Sequence, residues 1–252
     1  MTEVLLDITG HVATVTLNRP ERRNAISSTL LTSLRELLAE IDARPEVRAI
    51  VLTGADPAFC AGLDLTELGQ PGSRLGSRTH RNVLPDLGTP LIGAVNGAAV
   101  TGGLELALAC DFLIASQRAT FADTHARMGI QPGWGLTVAL PEAVGYRRAR
   151  EMSATGNFID AQTALEWGLV NHVVPHSELL GFTCRLANDV ASSDPDALGV
   201  MFATYDAGSQ VSKGEARQIE RTAHAGFHAS GIDHEKVSQR RAAVIERGRA
   251  QK

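Results

Sequence analysis

The stretch "NGAAVTGGLELALACD", residues 96–111, places two consecutive glycines between an apolar segment and a run of leucine and alanine. The preceding "LIGAV", residues 91–95, is typical of a buried strand, and the run after the glycines is typical of a helix. Glycines at such a junction let the backbone approach a ligand closely. The first N–H groups of a helix lack internal partners and can stabilise an oxygen that becomes negative. Alternatively, Gly102 and Gly103 only permit close packing of the strand and the helix.

Glu105 is a carboxylate in the first turn of this predicted helix, and residues 104 and 106–109 are all leucine or alanine. A helix that is apolar nearly all round is expected to be buried. A buried carboxylate is costly unless a partner or a reaction requires it. Glu105 is therefore either a general base beside the helix start or a residue at a wet edge that stabilises the helix dipole.

The rest of the chain alternates predicted strands with predicted helices. Upstream lie a hairpin with its turn at Gly10, a helix after residue 27 and a buried strand at 49–54. Downstream lie strands at 112–116 and near residue 120, then a helix that ends at Gly168 and a further strand. From Ser177 onward the pattern is helical, with breaks near Pro195 and Gly231. We predict an α/β fold with a helical C-terminal part, and a mobile loop at residues 69–82.

Composition excludes several classes of protein. The chain has 252 residues, 44% hydrophobic and 21% charged, which is enough for a large core. A net charge of −4 argues against a nucleic-acid surface. Apolar runs are far shorter than the ~20 residues of a membrane span, and the first ten residues do not resemble a signal peptide. Three cysteines without metal-like spacing predict reduced thiols, a cytoplasmic location and no metal site.

A second strand–glycine–helix turn is predicted at "FCAGLDL", residues 59–65. Two such turns side by side could each direct one backbone N–H group at the same point. Two donors of this kind form an oxyanion hole, a site that stabilises a developing negative charge.

Four motifs together resemble the enoyl-CoA hydratase/isomerase (crotonase) family: "FCAGLDL", "NGAAVTGGLELALACDFLIAS", "GIQPGWG" and "ALEWGLVNHVVP". The resemblance covers essentially the whole chain in the right order, and it is weaker beyond residue 176. It implies a crotonase-like spiral of ββα units over residues 1–176 with an acyl-CoA site. It further implies a helical oligomerisation region over 177–252 and a homotrimer or hexamer.

The resemblance also implies roles for individual residues. The backbone N–H groups of Leu63 and Gly102 match the two donors that stabilise a thioester enolate, and Glu105 matches the first of two glutamates that hydratases use. The position of the second glutamate holds His125. Either His125 takes over proton transfer, for which an unperturbed pKa of about 6.5 is suitable, or the reaction differs. Asp123 either orients His125 or only ends a strand.

Contacts with the substrate are implied for a further set of residues. Gly133 could help to place a water molecule, and Trp134 either narrows the acyl pocket or packs in the core. Arg22 and Arg23 either bind phosphates or form a solvated turn. Coenzyme A is expected as part of the substrate, with no separate cofactor. Its expected contacts are Arg22, Arg23, Ala25, Ala61, Asp64 and Leu65.

The implied activity is that of an enoyl-CoA hydratase, which adds water to the 2,3-double bond of a 2-enoyl-CoA thioester. An enoyl-CoA isomerase, or another acyl-CoA reaction of the family, is the alternative within the same class. A non-catalytic acyl-CoA binder is the alternative from a different class. RNA binding is a third reading, and the acidic charge balance argues against it.

Overall fold

A computed structural model describes residues 2–73, 75, 82–229 and 231–250. The chain divides into a first compact unit that ends at Ser193 and a second that begins at Asp194. Half of the predicted mobile loop, residues 74 and 76–81, lies outside the described residues.

Ten strands are present in the described part of the first unit, and they form two sheets. The six-stranded sheet has the order β1-β2-β3-β5-β7-β10, and the four-stranded sheet has the order β4-β6-β8-β9. The bounds are β1 (Val4–Thr9), β2 (Val12–Leu17), β3 (Ala49–Gly54), β4 (Ala58–Cys60), β5 (Leu91–Val95), β6 (Ala98–Val100), β7 (Phe112–Ser116), β8 (Thr120–Ala122), β9 (Ile159–Asp160) and β10 (His172–Val174).

The six-stranded sheet begins with the predicted hairpin, since β1 and β2 are antiparallel and Gly10 turns between them with a φ of +61°. The remaining neighbours in this sheet are parallel. Side chains alternate between its two faces. Ile50 and Leu52 of β3 enter the main core, whereas Ala49 and Val51 enter a second apolar cluster on the other face. The predicted α/β class is confirmed.

Helices cover the sheets of the first unit, and α1 shows why they form. Ser27 caps α1 by accepting a hydrogen bond from Leu30 N at 3.0 Å, and the apolar stripe of the helix is buried in the main core. The helices of this unit are α1 (Ser28–Asp42), α2 (Leu65–Leu68), α3 (Gly102–Leu108), α4 (Leu136–Val144), α5 (Tyr146–Thr155), α6 (Ala161–Trp167) and α7 (Leu179–Ala191).

Three strands of the smaller sheet, β4, β6 and β9, were not predicted from the sequence. Residues 58–60 and 98–100 form the parallel neighbours β4 and β6. Each is only three residues long, which is too short for a period-2 pattern to stand out. The start of α3 lies very close to β4. This requires Gly103, because a Cβ there would lie 2.0 Å from Cys60 O. For Gly103, therefore, the packing interpretation is correct.

The first unit continues beyond residue 176, because α7 packs on β2, β3, β5 and β7 and buries Leu179, Ala187 and Ala191 in the second cluster. The second unit is helical, as predicted, with α8 (Pro195–Ser209), α9 (Lys213–Phe227) and α10 (His234–Ala250). Assignment of the acyl-CoA site to residues 1–176 and of oligomerisation to 177–252 stays a prediction. Among the described residues, no helix is both long enough and apolar enough to cross a bilayer.

Candidate active site

The two predicted glycine turns lie against each other. Leu63 follows β4 in a short parallel bridge with Ile26, and Gly102 is the first residue of α3. A Cβ on Gly102 would lie 3.6 Å from Leu63 N, and a Cβ on Gly62 would lie 3.5 Å from Gly102 N. Within the described part of the chain, neither amide donates a hydrogen bond to another protein group. Both N–H groups therefore border one small space.

The turn that carries Leu63 is held by the segment before α1. Ala61 N donates to Arg23 O at 3.0 Å, Ile26 N donates to Gly62 O at 2.7 Å, and Asp64 N donates to Ile26 O at 2.8 Å. These bonds engage the backbone on both sides of Leu63 and fix the direction of its amide.

Glu105 occupies a buried position on α3, with 3% of its surface exposed. Its Oε1 accepts a hydrogen bond from Trp134 N at 2.8 Å, and its Oε2 lies 3.4 Å from His125 Nε2. This burial confirms the expectation for α3 and excludes the wet-edge interpretation of the glutamate. The carboxylate keeps its polar partners inside the protein, as a buried charge requires.

His125 lies between two carboxyl groups, and it is almost fully buried. Its Nδ1 is 2.7 Å from Asp123 Oδ1, and its main-chain N–H donates to the same oxygen at 3.1 Å. Asp123 thus orients the imidazole and does more than end β8. The contact of His125 with Glu105 places the segment that follows β8 against α3.

The charge state of His125 follows from this environment. Burial alone would lower the pKa of His125, but hydrogen bonds to Asp123 and Glu105, and the charges of both groups, raise it to about 9. Burial would raise the pKa of Asp123, but hydrogen bonds with His125 and Ser153 hold it below its ordinary value. At neutral pH, His125 is therefore an imidazolium, held between Asp123 and Glu105.

Thr101 precedes Gly102 in an unusual backbone conformation, with a φ of +55°. Such a value is rare for a β-branched residue. Thr101 N donates to Ala122 O at 2.9 Å, and Thr101 Oγ1 lies 2.5 Å from Thr124 Oγ1 and accepts a hydrogen bond from Thr124 N at 3.3 Å. This pair, which was not predicted from the sequence, joins the ends of β6 and β8.

Trp134 lies beside Gly102. A Cβ on Gly102 would be 3.4 Å from Trp134 Cζ3, and the indole, which is partly buried, also packs against the main core. The neighbouring Gly133 is exposed, and nothing lies within 4 Å of a Cβ placed there. The role of Gly133 in placing a water molecule stays a prediction.

The profile of the family described as enoyl-CoA hydratase/isomerase matches residues 7–251. The chain belongs to the enoyl-CoA hydratase/isomerase family. It is 35% identical over 243 residues to a probable peroxisomal enoyl-CoA hydratase of Arabidopsis thaliana, covering 95% of this chain and 91% of the relative. It is 37% identical to a short-chain-enoyl-CoA hydratase of Clostridium acetobutylicum, covering 88% of each. A crystal structure of an enoyl-CoA hydratase from Bacillus anthracis is 35% identical, covers 96% of each chain and superposes with a TM-score of 0.88. The crotonase-like fold is thereby confirmed.

The residues expected to contact coenzyme A in this hydratase/isomerase family member fall on neighbouring loops. The exposed Arg22 and Arg23 lie in a 3-10 turn, Pro20–Arg22, and just after it. Ala61 N donates a hydrogen bond to Arg23 O, and Ala25 N donates one to Arg22 O. Leu65 is the first residue of α2. Their contacts with coenzyme A stay predictions. Within the described ranges, no three His, Cys, Asp or Glu side chains are grouped so as to hold a metal ion.

The carboxylate of Asp64, another of the expected contacts, is engaged inside the protein. Its Oδ1 accepts hydrogen bonds from Thr66 N and Glu67 N at the start of α2, and its Oδ2 accepts one from Arg19 at 3.0 Å. These bonds cap α2 and fix the loop beside Leu63. Any contribution of Asp64 to the binding of coenzyme A therefore comes from its backbone or from the shape of this loop.

Proposed function

We propose that this protein is an enoyl-CoA hydratase, which adds water across the 2,3-double bond of a 2-enoyl-CoA thioester. The observation that carries the proposal is that the amides of Leu63 and Gly102 border the same space, beside the Glu105–His125 pair. Relatives in Arabidopsis and Clostridium that carry hydratase names support the same reaction.

The two amides would form an oxyanion hole for the thioester oxygen. When a nucleophile attacks C3 of the enoyl group, the π electrons move towards C1 and the thioester oxygen becomes an enolate oxygen. Two N–H donors already directed at that oxygen stabilise the charge without reorganisation, and losing one donor of this kind typically costs about 10²–10³ in rate. This donor pair is what an acyl-CoA enolate requires.

Glu105 and His125 would carry the two protons of the reaction. Glu105 takes a proton from water while the water oxygen bonds to C3. His125, an imidazolium with a pKa of about 9, then donates its Nε2 proton to C2. The proton left on Glu105 returns to His125 across their 3.4 Å contact, which restores both groups. The net change is the addition of one water molecule.

A pair of proton carriers favours hydration over the isomerase alternative. Hydration requires one group that deprotonates water and another that protonates C2, whereas a double-bond shift requires a single base that moves one proton between two carbons. Asp123 contributes to this arrangement, because its hydrogen bond to Nδ1 stabilises the protonated form of His125.

Hydration of crotonyl-CoA by the wild type and by Glu105→Gln tests the proposal. We expect Glu105→Gln to lower kcat by at least about 10²-fold, while Glu142→Gln, an exposed glutamate of α4, stays at the wild-type rate. A Glu105→Gln protein with near wild-type kcat would exclude the mechanism. Conversion of a 3-enoyl-CoA by the wild type without incorporation of ¹⁸O from labelled water would identify an isomerase instead.

Three further expectations belong to this proposal. The resemblance implies a homotrimer or hexamer, the odd number of cysteines suggests a cytoplasmic location, and coenzyme A would enter only as part of the substrate. Light scattering after size exclusion tests the first: a mass of three or six chains is expected, and a monomer that is active at assay concentration would refute it.

A further inference from the structure

Two threonines, Thr101 and Thr124, link the two halves of the active site. Thr101 is the residue before Gly102, and Thr124 is the residue before His125. Their hydroxyl oxygens are 2.5 Å apart, and Thr101 Oγ1 also accepts the Thr124 N–H at 3.3 Å. One side of the contact therefore adjoins the oxyanion amide, and the other adjoins the proton donor.

Every polar group of Thr101 is engaged in holding this geometry. Its N–H donates to Ala122 O at 2.9 Å, and its carbonyl accepts from Leu104 N and Glu105 N at 3.0 Å each, which begins α3. With a φ of +55°, the backbone of Thr101 is strained. A strained β-branched residue persists where the surrounding bonds over-determine it, and such residues cluster at functional sites.

We propose that Thr101 and Thr124 are positioning residues, which hold the Gly102 amide and the His125 imidazole at a fixed separation for hydration. This inference rests on the proposed function, because it assigns the pair to the oxyanion hole and the proton donor of that reaction. The hydroxyl contact acts through Gly102 and His125, and neither threonine is required to touch the substrate.

The test compares Thr124→Val, Thr101→Val and their double variant with Thr124→Ser and the wild type. Valine keeps the shape of threonine and removes the hydroxyl, and serine restores it. Thr183→Val is the matched control, since Thr183 is also buried and its hydroxyl donates to Leu179 O at 2.8 Å in α7. Two readouts are needed: kcat and KM for crotonyl-CoA, and the red shift of a bound 2,4-dienoyl-CoA. The red shift reports polarisation of the thioester carbonyl without any turnover.

We expect Thr124→Val to lower kcat roughly 10- to 100-fold, the scale for a displacement of reacting groups of up to an ångström. KM should change less than about threefold, because the residues expected to contact coenzyme A lie elsewhere. The red shift should decrease, and Thr124→Ser should recover most of the kcat and of the red shift. The double variant should lose no more kcat than the more impaired of the two valine variants. Thr183→Val should match the wild type in both readouts, with a melting temperature similar to that of Thr124→Val.

A wild-type kcat and red shift in Thr124→Val would overturn this inference and leave the proposed function intact. A serine variant as impaired as the valine variant would also overturn it, since the hydroxyl would then be irrelevant. If the wild type binds the dienoyl-CoA but does not hydrate crotonyl-CoA, the proposed function fails, and the red shift in the threonine variants still decides whether the pair positions the amide.

Discussion

Gly102→Ala separates the role of Gly102 in catalysis from its role in the fold. An added Cβ would lie 3.4 Å from Trp134 Cζ3, 3.6 Å from Leu63 N and 3.7 Å from Ile26 Cδ1, all ordinary contact distances. The φ of Gly102 is outside the left-handed region. Replacing such a glycine by alanine stabilises a protein by roughly 0.4–1 kcal/mol, because it restricts the unfolded chain. We therefore expect the melting temperature to be unchanged or to rise by a few degrees.

The activity of the same variant should collapse. The methyl group would project into the space between the indole and the Leu63 amide, where the thioester oxygen has to reach both N–H groups. Loss of one oxyanion donor corresponds to about 10²–10³ in kcat, or roughly 2.7–4.1 kcal/mol of transition-state stabilisation. The assay is the loss of enoyl-thioester absorbance during hydration of crotonyl-CoA, with thermal unfolding measured on the same samples.

Two other glycines serve as controls for this experiment. Gly199→Ala, in α8, adds a Cβ with nothing within 4 Å and should leave activity unchanged. Gly103→Ala places a Cβ 2.0 Å from Cys60 O and should lower the melting temperature by several degrees. The reasoning is refuted if folded Gly102→Ala hydrates crotonyl-CoA within threefold of the wild-type rate.

Three more predictions concern the side chains around the oxyanion hole. Asp123→Asn removes the main hydrogen-bond acceptor of His125. In the pH profile of kcat/KM, the alkaline limb is expected near pH 9, and this variant should move it to lower pH by about one unit or more. An unmoved limb would contradict the assignment of this limb to His125. Because the pKa of His125 is raised from 6.5 to about 9 on folding, its stabilising contribution is complete below pH 6.5 and is lost as the pH rises through 9. Urea unfolding at pH 6 and pH 9.5 should therefore show a loss on the order of 3 kcal/mol in the wild type relative to His125→Gln. An equal pH dependence in the two proteins would refute the shift. Trp134→Ala should raise kcat/KM for long or branched 2-enoyl-CoA esters about tenfold relative to crotonyl-CoA; an equal change for all esters would exclude Trp134 as a wall of the acyl pocket.

The larger sheet was predictable because its strands are short apolar runs bounded by glycine or turn residues. The hairpin at Gly10, the strand Ala49–Gly54 and the helix ending at Gly168 all follow from periodicity and turn chemistry. The strands β4 and β6 were not predictable in this way. They are defined by pairing with each other and by the tight packing of Gly103 on Cys60, which are contacts between residues distant in the chain.

For the site, the sequence indicated which residues lie near the reaction and could not supply their mutual geometry. Glu105 stood out as an acid in an apolar helix, and His125 stood out because it occupies the position of a family glutamate. Their contact at 3.4 Å and the orientation of His125 by Asp123 depend on how the β8 loop folds against α3. The hydroxyl pair of Thr101 and Thr124 had no signal in the sequence, because neither residue type nor spacing indicates a φ of +55°.

A crystal structure of Glu105→Gln with bound crotonyl-CoA would test the central claim most directly. The account predicts the thioester oxygen within hydrogen-bond distance, about 2.7–3.2 Å, of both Leu63 N and Gly102 N, with C2 facing His125 Nε2. A thioester oxygen that contacts neither amide, or only one of them, would contradict it.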